Sequence, residues 1–301
     1  SMPLPLRTRL SSLRVLTQWC CVQKKADLVP PVLKLLWILL GTGEVHRDQH
    51  IPLGVRSRLR LYAAQCILKL ATCDAYASLI LPRMGRLSYA LQDECFQVRM
   101  HLLHDLLLYL MRDELPTEFH AAIFLVAFDP EDEPRVQVAS YTRRLQVLPP
   151  IVRHERLERI IVRFLHLLAH HPDLNAESPQ TLCSFARYLE FYLACVACET
   201  NIGVLARFSA CVRTYIDLSL SEPSVENSRP LYAMAELAQF LIQRLADNHG
   251  WTIYPVDEEA PCPKDILRST GTIARSVLDG EVWELLQQQP RRHRDKKTKV
   301  A

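Results

Sequence analysis

Glycine is scarce in this chain. The 8 glycines in 301 residues are too few for glycine-rich phosphate loops or for the many tight turns of an all-β fold. No GxxxxGK[ST] and no GxSxG occurs, and RSTGT (268–272) carries a single glycine. Long hydrophobic runs are also missing. VLKLLWILL (32–40) is short, carries Lys34, and falls below the roughly 18 apolar residues of a membrane-spanning helix. No secretory leader is visible. The chain opens Ser-Met, which reads as a cleavage scar, so a piece of a longer protein is expected. A basic body is lacking too. RRHRDKKTK (291–299) holds six basic residues and one acid, more than the whole formal net charge of +3, so the rest of the chain is slightly acidic. That body has no electrostatic bias toward nucleic acid. The tail, through Arg291, Arg292, Arg294, Lys296, Lys297 and Lys299, reads as a solvated terminus or a nuclear-import signal.

Complete ligand or catalytic sets are not found. Among 10 cysteines, Cys66, Cys95, Cys183, Cys195 and Cys211 fall on apolar helix faces. They read as reduced, buried thiols of a cytosolic or nuclear protein. Cys195-Val-Ala-Cys198 has no second CxxC and lies inside a buried-type helix, so core packing is expected. His101, His104 and Asp105 sit one turn apart. His166 and His170, in HLLAH, have the spacing of HExxH, but Leu167 stands where its glutamate would be. No metal, cofactor or catalytic residue is assigned, and a binding protein rather than an enzyme is expected.

What the chain has is helix. Hydrophobic residues make up 49% and charged residues 23%. Helical periodicity runs through 10–24, 28–40, 55–72, 74–81, 93–111 and 116–128. It resumes in 132–147, 152–170, 179–199, 201–218, 229–249 and 275–288. DECFQVRMHLLHDLLLYL (93–110) is apolar most of the way round, so it must be covered on most sides. GVRSRLRLYAAQCILKLA (54–71) repeats its design, and EDEPRVQVASYTRRLQVL (131–148) does so more loosely. The Arg56-to-Arg99 and Arg99-to-Arg135 separations, 43 and 36 residues, lie near the period of HEAT and armadillo repeats. The predicted fold is all-α, a HEAT/armadillo-like solenoid of stacked antiparallel helix hairpins. Residues 1–54 would continue an upstream solenoid, 55–290 would form repeats ending in capping helices, and 291–301 would be a disordered basic tail.

The arginines at matching places are the candidate functional residues. Arg99 and Arg135 are expected to pair with acids of the adjacent repeat, with Asp93 among the inter-repeat structural residues. Arg143, Arg144 and Arg153, clustered beside the Pro149-Pro150 turn, are candidates for partner binding, together with Arg56 and Arg60.

Six segments in order carry a likeness: LRLYAAQCILKLA (59–71), DECFQVR (93–99), AAIFLVAFDPEDEPR (121–135), FLHLLAHHPDL (164–174), RPLYAMAELAQFLI (229–242) and PKDILRST (263–270). Over about residues 55–270 the chain resembles the C-terminal HEAT-repeat region of the precocious-dissociation-of-sisters family, cohesin-associated regulators of sister-chromatid cohesion. The resemblance implies a non-enzymatic, nuclear, chromatin-associated scaffold. It implies partners in the cohesin kleisin subunit, a Wapl-type release factor and the cohesin acetyltransferase, through this segment or parts outside it. Two other readings share the architecture: an unrelated HEAT-type transport or assembly scaffold, and a DNA-binding solenoid using an arginine stripe and the basic tail. DNA is the weaker candidate partner.

Overall fold

The computed structural model describes residues 4–44 and 51–288; the basic tail lies outside the described residues. The helices in chain order are α1 (Leu4–Gln23), α2 (Val29–Thr42), α3 (Leu53–Ala71), α4 (Asp74–Ile80), α5 (Met84–Ser88), α6 (Phe96–Met111), α7 (Asp132–Gln146), α8 (Pro150–Arg153), α9 (Ile161–Ala169), α10 (Pro179–Val196), α11 (Ile202–Cys211), α12 (Arg229–His249) and α13 (Gly280–Gln288). Between α6 and α7 the chain winds tightly as a 3-10 helix, Thr117–Phe128. Two short strands, β1 (Tyr215–Asp217) and β2 (Leu267–Ser269), pair antiparallel with Ile216 opposite Arg268. The molecule is an all-α stack, and one continuous apolar core runs from Leu13 to Leu286.

The small residues of α3 explain the close stacking. Ala63 and Ala64 are fully buried, and α3 packs against α1, α2, α4 and α6. At the end of α2, Gly43 takes a left-handed conformation (φ 64°) that caps the helix through its N–H to the Leu39 carbonyl. A Cβ there would lie 2.9 Å from both Cβ and the carbonyl oxygen of Arg56, so glycine is needed for conformation and for space. The 3-10 helix is the hub of the middle of the stack, touching α5, α6, α7, α9 and α10. Its residues Phe119 to Ala127 are all buried, which is why its sequence shows no polar face. Phe124 meets Phe164 of α9 and Tyr192 of α10 with ring centroids 5.7 and 4.9 Å apart, within the range of favourable tilted and edge-to-face contacts.

Three elements depart from the periodicity. The segment expected to be helical over 201–218 stops at Cys211; Tyr215–Asp217 turn into strand because β2 offers its edge and Thr270 N–H donates to the Thr214 carbonyl. The 152–170 helix is interrupted by a π-type turn, His154–Glu158. That turn carries Glu158 into the interior, where His154 Nδ1 lies 2.6 Å away and Asn201 Nδ2 donates at 3.0 Å. Residues 82–92, outside the expected helices, form α5 and most of its flanking 3-10 turns.

A strap, residues 250–279, returns along α9 and α11. Asp265 forks onto Arg163 at 2.8 and 2.7 Å, and Glu258 meets His154 at 2.9 Å and Arg159 at 3.4 Å. The buried Glu236 of α12 accepts from the backbone N–H groups of Val277 and Leu278, both at 3.1 Å, and from the Ser276 hydroxyl. Gly203 lets the strap approach: a Cβ there would sit 2.5 Å from the Tyr254 carbonyl oxygen.

Two outcomes follow. Ala64→Leu should overpack the α3 junction and lower stability by about 1–3 kcal/mol, read from the urea midpoint. His120, on the 3-10 helix, is buried; its Nδ1 donates to the Thr117 carbonyl (2.8 Å) and its Nε2 accepts from the Tyr141 hydroxyl (3.0 Å). Burial lowers its pKa to about 4, whereas the unfolded chain protonates it near 6.5. Its contribution to stability is therefore complete above about pH 6.5 and is lost as pH falls toward 4, by up to about 3 kcal/mol. His120→Gln should flatten that part of the stability profile in urea titrations between pH 7 and 4.5.

Candidate functional site

An arginine–aspartate ladder joins successive hairpins. Arg60 of α3 grips Asp93, Nε to Oδ2 at 2.5 Å and Nη2 to Oδ1 at 2.9 Å. Asp93 in turn accepts the Cys95 N–H at 2.9 Å, shaping the entry to α6. The next rung repeats the arrangement. Arg99 of α6 grips Asp129, Nε to Oδ2 at 2.7 Å and Nη2 to Oδ1 at 3.2 Å, while Asp129 accepts the Glu131 N–H at 3.0 Å at the entry to α7. The backbone links the rungs: Arg99 Nη1 donates to the Asp93 carbonyl at 2.8 Å, and Arg135 Nη1 donates to the Asp129 carbonyl. With further contacts to Glu131 and the Glu94 carbonyl, all five Arg99 N–H donors find acceptors. Burial works against its charge, but Asp129 and Glu131 outweigh burial and raise its pKa above the ordinary value.

Most candidate arginines are therefore engaged within the fold. Arg60, expected on a docking surface, is held by Asp93. Arg56, expected beside it, pairs with Glu44 at 2.5 Å, and half-buried Arg153 faces Glu158 at 3.5 Å. Arg135 pairs with Asp132 on its own helix. The partners of Arg99, Asp129 and Glu131, were not singled out from the sequence, although the reciprocal Asp-x-(Cys/Glu) turn before each helix was available as a signal. With these arginines paired to acids of the same molecule, no continuous stripe of unpaired arginines is found among the described residues.

Arg143 and Arg144 differ. Both are exposed, and neither enters an ion pair among the described residues. Arg144 Nη1 contacts the Met111 sulfur at 3.8 Å. Val136, Arg143 and Val147 fall at i, i+7 and i+11 on one face of α7 and its cap, and Ile151 follows the turn. Val147 and Ile151 are 84% and 80% exposed. This end of α7 thus combines two cations with exposed apolar side chains, a pairing suited to an acidic segment with apolar anchors.

The histidines divide as well. His101 and His104 are exposed and separate from Asp105, which accepts from Gln65 at 2.7 Å. His166 and His170 come together with Asp217 of β1, a third donor that local spacing did not reveal. The three side chains bring donor atoms within 4.8 Å of one another. Asp217 also accepts the Ser219 N–H at 2.8 Å. Burial works to raise the Asp217 pKa, yet the hydrogen bonds from both histidines prevail and hold it well below the usual carboxylate range. A cleft of about 230 Å³ between α5 and α9 opens onto both rings. Cys195 is buried and Cys198 half-buried, and no disulfide is formed among the described residues.

The family model for the sister chromatid cohesion protein PDS5 matches residues 1–268, reaching further toward the N-terminus than the likeness over 55–270. The chain is 27% identical over 245 residues to the sister chromatid cohesion protein pds5 of Schizosaccharomyces pombe, covering 81% of this chain and 20% of that protein. It is 23% identical over 280 residues to PDS5 of Saccharomyces cerevisiae, covering 83% and 22%. It is 34% identical over 157 residues to PDS5 homolog A of Danio rerio, covering 48% and 12%. The chain spans about a fifth of the length of the two yeast relatives.

Removing one member of the buried rung should cost far more than removing an exposed arginine. Asp129→Asn is expected to lower stability by about 1.5–3 kcal/mol, because the buried guanidinium of Arg99 loses its forked counter-charge and keeps only the half-exposed Glu131. Arg143→Ala should change it by less than about 0.5 kcal/mol. A double-mutant cycle of Arg99→Met with Asp129→Asn, followed by urea unfolding, should return a coupling energy well above 1 kcal/mol.

Proposed function

The chain belongs to the family of the sister chromatid cohesion protein PDS5, and from that membership we propose that it is a non-enzymatic scaffold of the cohesin machinery, acting in the nucleus on chromatin. The reading rests on one observation: the likeness runs through the helical stack, residues 1–268, rather than through a single hairpin. A rigid row of helices suits the capture of flexible segments by a few anchors. The partners we propose are the cohesin kleisin subunit first, then a Wapl-type release factor and the cohesin acetyltransferase.

Within the chain we assign docking to Arg143 and Arg144 with Val147 and Ile151, the surface where cations and apolar side chains stand exposed together. The first two helices have a different role. Val15, Trp19 and Val22 of α1 and Leu35 and Ile38 of α2 are exposed. We assign these faces to preceding helices of a longer solenoid, since the yeast relatives are about five times as long as the matched segment.

Immobilised chain should retain the kleisin subunit, and Arg143→Glu with Arg144→Glu should weaken that binding at least about tenfold while leaving the melting temperature unchanged. Retained affinity would move docking elsewhere on the surface. Failure of the unaltered chain to bind any cohesin subunit would remove the scaffold reading.

A further inference from the structure

We propose that His166, His170 and Asp217 form a zinc site that staples α9 to β1. The two histidines lie one turn apart on α9 and turn Nε2 toward the same carboxylate. His166 Nε2 lies 3.3 Å from Asp217 Oδ1, and His170 Nε2 lies 2.5 Å from Oδ2. Donors around a tetrahedral zinc ion with bonds near 2.0–2.1 Å are roughly 3.3 Å apart. The His166 side of the triad already has that separation. The His170 side must open by about 1 Å, and its ring, partly exposed at the cleft, is the one with room to move.

The carboxylate is fixed more firmly than its two partners. Its residue belongs to the β1–β2 pair, and its own N–H accepts no freedom: it donates to the Ser228 hydroxyl at 3.0 Å. Oδ1 is further held by the Ser219 N–H. Of the arginines that line the same cleft, Arg83, Arg86 and Arg163, Arg163 is neutralised by its fork onto Asp265, and the carboxylate is the anionic member of the triad.

Two neutral imidazoles and one carboxylate are a zinc-type donor set, whereas magnesium and calcium prefer oxygen alone. On binding, both Nε2 lone pairs and the carboxylate become ligands, with each ring's hydrogen carried on Nδ1, and the ion's charge leaves the site net positive. The fourth position faces the cleft and takes water. The ion would join a helix to a strand 47 residues further along the chain.

The purified chain, dialysed against a chelator, should bind one equivalent of Zn²⁺ in calorimetry and melt at a higher temperature with it. Co²⁺ in place of Zn²⁺ should give visible bands of a four-coordinate nitrogen–oxygen site without a thiolate charge-transfer band, which separates the triad from the cysteines. His170→Gln, a change at the cleft, should weaken binding at least about 100-fold and abolish the thermal shift, and Asp217→Asn should do the same where it folds. His104→Gln, distant and exposed, should leave both unchanged. Absence of a stoichiometric ion, equal affinity in His170→Gln, or a thiolate band carrying the binding would each overturn the site.

Discussion

A guanidinium buried between two helices must have its charge met by a carboxylate, and the stack is arranged around that requirement. Arg60 and Arg99 each reach forward to an aspartate that also turns the chain into the next helix. One carboxylate thereby fixes both where the following helix begins and how far it stands from the one before. Apolar packing alone would tolerate sliding of one helix past another, since Leu against Leu is nearly the same at successive turns. A forked, charge-assisted pair is directional and tolerates little displacement.

The ladder also explains why the two cations at the end of α7 stay exposed. Arg56, Arg60, Arg99, Arg135 and Arg153 give their charge to acids of the same molecule. Arg143 and Arg144 lie past the last rung, where the polypeptide turns through Pro149-Pro150 and, among the described residues, neither meets an acid in an ion pair. Their exposure thus follows from where the ladder stops, and the apolar side chains of Val147 and Ile151 accompany them for the same reason.

Much of the architecture was legible in the sequence because helices of a stack bury two faces. Their apolar residues therefore recur at 3.6-residue spacing over long windows, as in 54–71 and 93–110. The 3-10 helix was legible as an apolar segment but not in its winding, since burial on every side erases the period that distinguishes one helix type from another. β1 was hidden because three residues are too few to show alternation, and their pairing partner lies some fifty positions away. The same distance concealed Asp217 from His166 and His170, and the rungs concealed Asp129 and Glu131 from Arg99. Local spacing reveals what one helix can present; it says little of which distant acid will meet it.

The strap carries a consequence for the order of assembly. Its ties join residues 99 to 104 positions apart, Arg159 and His154 to Glu258 and Arg163 to Asp265, so each closes a large loop at considerable entropic cost. Neighbouring helices, by contrast, meet over short chain distances and gain their contacts early. The final segment therefore settles late, onto a surface of α9, α11 and α12 where the buried Arg163 and Glu236 wait for its carboxylate and its N–H groups.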